Sequence, residues 1–256
     1  MNPAGAAMNP AEFATLARAE RELWWFRGME RVLFKLLDPL AAGHAISRVM
    51  EAGSGTGHMA LALQQRYGWR MFPTDLAWEG VSRTARTARI SPVQGDIARC
   101  PFRAEAFDAV LSLDVLVHFP RGEEVHALRE FARVVKPGGL LVIRVSALDV
   151  LHSRHSVFTH ERQRFTRARL IRAAQASGFS VQRCTYANSF LLPVALARFR
   201  IWEPLMRRPP ASGTSMVPKW LNQLLYLPLA MEAALISKGL NFPAGQSLIL
   251  IGTRNT

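Results

Sequence analysis

The sequence predicts an α/β fold with a mainly parallel sheet that is covered by helices on both faces. Short apolar runs alternate with amphipathic stretches over residues 46–186, which is the pattern of repeated strand–helix units. A glycine-rich turn follows the first apolar run and leads into the first amphipathic stretch, as in nucleotide-binding sheets. The length of 256 residues suits one large domain or a domain with an insert.

The chain divides into four segments. An N-terminal helical segment is predicted over 1–45, with a helix over 11–37 that ends at Asp38-Pro39. The α/β core follows over 46–186. Residues 187–245 are rich in Leu, Pro, Ala and Arg, which predicts a helical insert with proline-containing turns that caps a pocket. Residues 246–256 contain a final strand that completes the core.

The strands and helices of the core are predicted from the spacing of apolar residues and from the Gly and Pro residues between them. Lys136-Pro-Gly-Gly139 reads as a turn, and Gly178 ends a helix. The predicted strands are Ser47–Ala52, Arg70–Thr74, Pro92–Gln94, Phe107–Leu113, Leu140–Ser146, Ser180–Tyr186 and Gln246–Thr253. The predicted core helices are His58–Tyr67, Ala77–Ala88, Glu123–Val135 and Thr166–Ser177.

Composition narrows the class of protein. The formal net charge of +13 favours an anionic partner, namely an anionic small molecule, a membrane surface or a nucleic acid, and a solvated arginine-rich surface is the alternative. Cys100 and Cys184 are too few for a disulfide framework, and the N-terminus resembles no signal peptide, so we expect a cytoplasmic protein. The longest apolar stretch is too short to span a bilayer, which leaves peripheral membrane contact open.

The strongest functional signal is the run EAGSGTG at 51–57. The glycines at 53, 55 and 57 permit a tight turn and a close backbone approach to a ligand at a helix N-terminus. Asp75 ends the second strand beside Leu76, and its carboxylate suits ribose hydroxyls. Asp96 and Ile97 follow the third strand, where a carboxylate beside an apolar side chain suits an adenine.

The loop favours S-adenosylmethionine over a dinucleotide. The dinucleotide fingerprint requires a third glycine where this sequence has His58. Glu51 adds a carboxylate beside the loop, which would repel a pyrophosphate and attract an ammonium or sulfonium group. An NAD-dependent oxidoreductase is therefore disfavoured.

These motifs resemble the class I S-adenosylmethionine-dependent methyltransferases. The resemblance covers about Ser47 to Ala147 and also rests on FDAVLSLDVLVH at 107–118 and LREFARVVKPGG at 128–139. It implies a Rossmann-like sheet of seven strands with an antiparallel last strand, and methyl transfer from S-adenosyl-L-methionine. The flanks, ERELWWFRG at 20–28 and FPAGQSLILI at 242–251, more loosely resemble a bacterial branch similar to the type 11 methyltransferases.

The resemblance implies roles for residues of the cofactor site. Glu51 and the loop of Gly53, Ser54, Gly55, Thr56 and Gly57 would hold the methionyl part. Asp75 with Leu76 would hold the ribose, and Asp96 with Ile97 the adenine. Leu113 would line the methyl region after the fourth strand.

Residues of the acceptor site are less defined. His118 follows the fourth strand near the methyl region, where it is either a general base or a brace for its loop. His152 and His155 after the fifth strand, and Tyr186 at the end of the sixth, are candidates for binding the acceptor. Trp25 lies in a run of three aromatic residues that cannot all face one helix stripe, so it is a candidate for a lid over the site. The histidines lack a carboxylate pattern for a metal, and no metal site is predicted.

Three functions remain open within this reading. A small-molecule methyltransferase is favoured, with an anionic or amphiphilic acceptor, because nine Arg and one Glu occur over 152–200 beside an apolar insert. A nucleic-acid methyltransferase is the alternative, although Ser112-Leu-Asp-Val115 lacks the Asn/Asp-Pro-Pro-aromatic segment of base-amino methyltransferases, and no appended RNA-binding module is visible. A non-catalytic S-adenosylmethionine-binding protein is the third. The sequence does not indicate the oligomeric state.

Overall fold

The computed structural model describes residues 12–87, 90, 92–206, 209 and 213–256. The predictions that fall on 1–11, on 88 and on parts of 207–212 lie outside the described residues. These include the start of the first predicted helix and part of the insert.

A seven-stranded sheet forms the centre of the molecule. Its strands are β1 (Arg48–Ala52), β2 (Arg70–Asp75), β3 (Val93–Gln94), β4 (Phe107–Leu113), β5 (Val135–Ser146), β6 (Phe179–Ala187) and β7 (Ser247–Arg254). Their spatial order is β3-β2-β1-β4-β5-β7-β6. The first five strands are parallel, and β7 runs antiparallel between β5 and β6. The predicted Rossmann-like sheet with an antiparallel last strand is confirmed.

The strands are buried because helices cover both faces of the sheet. The α-helices are α1 (Glu12–Glu22), α2 (Trp24–Gly43), α3 (His58–Tyr67), α4 (Trp78–Thr87), α5 (Glu124–Val134), α6 (Arg154–Phe158), α7 (Arg167–Ala176), α8 (Leu192–Ala197), α9 (Glu203–Met206) and α10 (Lys219–Ser237). A π-helical segment, Arg198–Trp202, joins α8 to α9 without a break. Short 3₁₀ turns occur at Ile97–Arg99, Leu116–His118 and Asp149–Leu151.

Two sequence predictions of local structure are wrong. Asp38-Pro39 does not end the N-terminal helix, because Pro39 lies inside α2 and Leu40 beyond it still packs on the core. The chain breaks earlier instead, at Leu23, whose extended backbone (φ −77°, ψ 135°) separates α1 from α2. The predicted turn at 136–139 is part of β5, which contains an irregularity in its pairing opposite Phe107 and Ala109.

The insert is helical as predicted, but its prolines do not all mark turns. Pro193 is in the first turn of α8, Pro204 is in α9, and Pro228 is inside α10. The helix α10 packs along α2, where Leu229 fills the space beside Gly28. The division of the chain into a core and a separate cap stays a prediction, because the cap helix and the N-terminal segment share this interface.

None of the helices in the described part of the chain combines the length and the apolar character needed to cross a membrane.

Candidate functional site

A cavity of about 670 Å³ lies at the carboxyl ends of the parallel strands. The predicted site residues that line it are Glu51, Gly53, Ser54, Gly55, Asp75, Leu76, Asp96, Ile97, Leu113, His118, Trp25 and His155. Helices from both ends of the chain complete its wall, since α1, α2 and α10 each contribute side chains. The strand ends that the sequence singled out thus meet in one place.

The glycine loop leaves β1 in a conformation that only glycine adopts easily. Gly53 has φ +81°, and a Cβ there would lie 2.2 Å from the side chain of Val115. Gly55 has φ +52°, and its missing side chain faces open space. The loop therefore packs tightly against the protein at Gly53 and leaves room for a ligand at Gly55.

Three carboxyl groups with raised pKa values surround this loop. Glu51 is 3% exposed, and its Oε2 has no hydrogen-bond partner. Burial holds its pKa well above the ordinary value, and the neighbouring charges of Glu20 and Asp75 raise it further. Burial also raises the pKa of Glu20 and of Asp75. The loop therefore lies beside a cluster of carboxyl groups whose acceptor oxygens suit a cationic or hydroxyl-bearing ligand.

Asp75 connects the loop to the second strand. Its Oδ2 accepts a hydrogen bond from the Gly55 amide at 2.7 Å, and its Oδ1 accepts one from the Ala77 amide at 2.9 Å. Both oxygens keep further lone pairs, because a carboxylate can accept about four hydrogen bonds. The fixed carboxylate borders the cavity, where it can accept hydrogen bonds from a diol.

The third strand end supplies one polar and one apolar group. Asp96 is exposed, and its Oδ1 accepts a hydrogen bond from the Ala98 amide at 2.8 Å. Ile97 is buried beside it and lines the cavity. Asp96 caps its own 3₁₀ turn through Oδ1 and lines the cavity.

Two predicted loop residues do not line the cavity. Thr56 is buried, and its hydroxyl donates a hydrogen bond to the Glu20 carboxylate. Gly57 is the N-cap of α3, and its Cα packs against Thr84. Both residues support the loop from the side that faces the protein, because the turn that presents Gly55 to the cavity directs the next two residues into the protein.

An ion pair that the sequence analysis missed, Arg144 with Asp114, lines the cavity. Arg144 donates to Oδ2 of Asp114 from Nη2 at 2.6 Å and from Nε at 2.9 Å, and only 7% of Arg144 is exposed. Its guanidinium lies 5.2 Å from the ring centre of Trp25. The signal in the sequence was a lone arginine inside the apolar run of β5.

Glu20 was the second missed residue. It belongs to α1, more than thirty positions before the loop, and reaches the cavity because α1 lies over the glycine loop. The motif ERELWWFRG at 20–28 begins with this residue, but the sequence analysis assigned it no role. A contact between segments so far apart leaves no local pattern.

His118 has the geometry of a neutral histidine that can accept a proton. Its Nδ1–H donates to the carbonyl oxygen of His160 at 3.3 Å, which leaves Nε2 with a lone pair. Burial lowers its pKa, so the neutral form dominates near pH 7. The same hydrogen bond braces the loop that carries His160, so the two roles weighed for His118 are compatible.

The remaining predicted acceptor residues separate into two groups. His155 lines the cavity and accepts a hydrogen bond at Nδ1 from the Gly213 amide at 2.8 Å. His152 is exposed outside the cavity, because it ends a 3₁₀ turn one helical turn before His155. Tyr186 is buried in the core, where its hydroxyl accepts from the Arg167 amide at 3.3 Å. His152 and Tyr186 therefore do not line the cavity, and their role in binding the acceptor stays a prediction.

The other half of the cavity has an apolar wall and contains the buried ion pair of Arg164 with Glu161. Arg164 donates from Nε to Glu161 at 3.2 Å and from Nη1 to the Ala147 carbonyl at 3.1 Å. The apolar wall comes from α2, from the turn after β4 and from the insert, namely Trp24, Phe26, Phe119, Phe199, Leu221 and Leu225. Within the described ranges, no three His, Cys, Asp or Glu side chains come together in a way that would hold a metal ion.

Comparison with known proteins assigns a family to the central part of the chain. The family model described as "Methyltransferase domain" matches residues 50–143. A demethylmenaquinone methyltransferase of Mycolicibacterium gilvum is 33% identical over 165 residues, which cover 56% of this chain and 64% of that protein. A mouse protein named Probable tRNA methyltransferase 9B is 42% identical over 60 residues, or 23% of this chain and 13% of its own length.

A solved structure extends the likeness to the whole fold. A SAM-dependent methyltransferase of Thermotoga maritima superposes with a TM-score of 0.58 at 16% identity, covering 95% of this chain and 98% of that one. At that identity, the match concerns the fold alone. The chain spans less than two thirds of the length of either curated relative.

Proposed function

We propose that this chain, which belongs through residues 50–143 to the class I S-adenosylmethionine-dependent methyltransferases, methylates a small amphiphilic acceptor. One observation carries the proposal above the others. The carboxyl groups of Glu20, Glu51 and Asp75, whose pKa values are raised, and an apolar, aromatic wall border the same cavity. A cationic methyl donor would lie beside the carboxyl groups, and a largely apolar acceptor would lie against the apolar wall.

The residues present fit S-adenosylmethionine, the cofactor of this family. The unpartnered Oε2 of Glu51 and the open side of Gly55 suit the methionyl ammonium and its neighbouring atoms. In our assignment, Ser54 and Leu113 line that part, while Asp75 and Leu76 hold the ribose. Asp96 would accept from the adenine amino group while Ile97 packs on the ring. When bound, this cofactor supplies an electrophilic methyl group on a sulfonium.

The chain contributes mainly by positioning, since transfer of a methyl group needs a close and aligned nucleophile. We assign Trp25 and His155 to the acceptor side, because both line the cavity beyond the glycine loop. His118 would take a proton at Nε2 if the acceptor loses one during attack. Its lowered pKa keeps Nε2 unprotonated near neutral pH.

The character of the acceptor follows from the charges of the apolar half. Arg144 and Arg164 are both neutralised by carboxylates, at 2.6 Å and 3.1 Å. Arg198 is only loosely paired with Glu203, at 3.9 Å, and it lies at the cavity wall formed by the insert. An acceptor with an apolar body and a polar or anionic end near Arg198 fits this distribution. Residues 187–245 would then act as a cap on the acceptor.

The test combines binding with transfer. Calorimetry should show that the full chain binds S-adenosylmethionine and does not bind NAD under the same conditions. Radiolabelled methyl donor incubated with cell extracts should then label material that partitions into organic solvent. Label recovered in RNA, or a salt-sensitive gel shift with RNA, would favour the nucleic-acid alternative. Binding without any transfer would favour a non-catalytic protein.

A further inference from the structure

We propose that the insert forms a docking surface for an anionic lipid bilayer. The helix α10 exposes an apolar stripe of Trp220, Leu224, Leu227 and Met231, at spacings of four, three and four residues. Their exposed fractions are 68%, 55%, 49% and 60%. Residues at these spacings lie on one face of a helix, so a continuous apolar ridge faces away from the protein.

The rest of α10 is held firmly by the protein, so the ridge is not a frayed helix. Leu229, Ala233 and Ile236 are buried on the opposite face. The Asn222 side chain bridges to the N-terminal segment, since its Oδ1 accepts from the Trp24 amide at 2.7 Å and its Nδ2 donates to the Glu22 carbonyl at 2.7 Å. The orientation of the stripe is therefore fixed by packing.

A second group of exposed apolar residues lies on the other helical part of the insert. Val194, Ile201 and Leu205 are exposed at spacings of seven and four residues, and Trp202 is exposed beside them. Phe199 of the same segment lines the cavity, as do Leu221 and Leu225 of α10. The ridge of α10 and this second group therefore belong to helices that wall the cavity, so a docked bilayer would lie close to it.

Positive charges flank the ridge of α10. Arg27, Arg31 and Lys35 are spaced by four residues along α2 and line a cleft of about 540 Å³ beside α10. Tyr226 of α10 ties this row to the ridge, since Arg31 Nη1 donates to its hydroxyl at 3.0 Å and the Arg27 guanidinium lies 4.7 Å from its ring centre. Among the described residues, no ion pair engages any of these three cations.

Charge decides between the occupants of this surface. A symmetric dimer would bring the same patch of two copies together, and it would place the two rows of cations near each other. An anionic bilayer instead offers acyl chains for the apolar ridge and headgroups for the flanking cations, with Trp220 at the level where tryptophan is favoured. Each Lys or Arg near such a surface contributes about 1 kcal/mol, or about fivefold in binding.

The proposal is tested by cosedimentation of the full chain with vesicles, without reference to methyl transfer. The wild type should bind vesicles of phosphatidylcholine and phosphatidylglycerol (3:1) more tightly than pure phosphatidylcholine, and 0.5 M salt should weaken this binding. Trp220→Ser with Leu224→Ser should lower the partition coefficient at least tenfold. Arg27→Gln with Arg31→Gln should lower it by about 25-fold on the anionic vesicles alone.

Matched controls use other faces of the protein. Trp78→Ser removes a tryptophan that is 62% exposed outside the insert, and it should leave vesicle binding unchanged. Arg129→Gln with Arg172→Gln removes two exposed charges from α5 and α7, with the same expectation. If a thermal melt shows that Trp220→Ser with Leu224→Ser does not fold, the variant Trp220→Phe replaces it. Brominated lipid should then quench the tryptophan emission of Trp220→Phe less than that of the wild type.

Three results would overturn the proposal. These are equal binding to neutral and anionic vesicles, equal effects of the insert and control variants, and a dimer in light scattering that dissociates on Trp220→Ser. Loss of methyl transfer with retained vesicle binding would count against the proposed function alone.

Discussion

The substitution Glu51→Gln tests two effects of this carboxyl group. One is its contribution to ligand binding, and the other is the stability that its burial costs the protein without ligand. Glu51 is 3% exposed, its Oε2 has no hydrogen-bond partner, and Glu20 and Asp75 are the charges that repel it. The glutamine variant keeps the size of the side chain and removes the charge. We therefore expect Glu51→Gln to weaken S-adenosylmethionine binding and to stabilise the protein without ligand.

The sign of the pH dependence follows from the raised pKa. In the unfolded chain, Glu51 loses its proton near its ordinary value of 4.5, whereas burial makes the folded protein hold that proton to higher pH. Between those two values the folded state binds more protons, so wild-type stability falls as pH rises. The advantage of Glu51→Gln should therefore be absent below about pH 4.5 and grow above it.

The magnitudes come from the burial of one unpaired oxygen. A hydrogen bond to a charged group contributes about 1.5–3 kcal/mol, so losing one should raise the dissociation constant roughly 10- to 150-fold. The glutamine amide keeps a polar atom at this position, so the gain in stability is the extra cost of burying a charge there. We take this cost as about 1–3 kcal/mol, and each kcal/mol corresponds to about 2–4 °C in melting temperature for a chain of this size. At pH 8 the variant should thus melt a few degrees higher than the wild type without ligand.

The assay is differential scanning calorimetry at pH 5 and pH 8, with and without saturating S-adenosylmethionine, together with titration calorimetry. The order of melting temperatures should reverse when ligand is added, because the wild type gains more from binding. Glu123→Gln, an exposed glutamate, is the control that should change neither measurement. Unchanged affinity of Glu51→Gln, or a lower melting temperature than the wild type at pH 8 without ligand, would refute the reasoning.

Three further substitutions test other parts of the site. Asp75→Ala should raise the dissociation constant for S-adenosylmethionine more than about 100-fold, by loss of two hydrogen bonds to a charged group, while circular dichroism shows a folded protein; unchanged affinity would remove the ribose assignment. His118→Gln should abolish the acidic limb of the pH–rate profile without changing cofactor affinity. Because burial lowers the pKa of His118 below 6.5, the wild-type rate should fall only below that pH. An unaltered profile would leave His118 as a brace for its loop. Gly53→Ala should lower the unfolding free energy in a urea titration by about 1–3 kcal/mol, because it combines a positive φ with a contact of 2.2 Å; an unchanged midpoint would contradict the tight packing at this turn.

The sheet and the cofactor half of the cavity could be predicted from the sequence because both are encoded locally. Each strand end carries its candidate site residue within a few positions of the apolar run that forms the strand. Asp75 and Asp96 needed only the rule that parallel strands present their carboxyl ends at one edge. The helix break at Leu23 had no such signal, since neither Gly nor Pro occurs there and the break depends on how α1 lies over the loop.

The continuation of α2 through Pro39 shows how packing overrides a local rule. Proline removes one backbone donor, which usually ends a helix or bends it. Here Leu36 and Leu37 are buried before the proline, and Leu40 packs on the core after it. The apolar contacts of the last turn offset the lost hydrogen bond, and the sequence pattern gave no measure of that balance.

The acceptor half was less predictable because its residues come from segments far apart in the chain. Trp25 lies under Arg144, and the two residues are separated by more than one hundred positions. His152 and His155 looked equivalent in sequence, but the turn at Asp149–Leu151 directs only His155 into the cavity. The cofactor half can therefore be inferred from motifs, whereas the acceptor half depends on contacts between α1, α2 and the insert. The identity of the acceptor is accordingly best sought with variants of the insert, since Phe199, Leu221 and Leu225 form a wall that the family motifs do not encode.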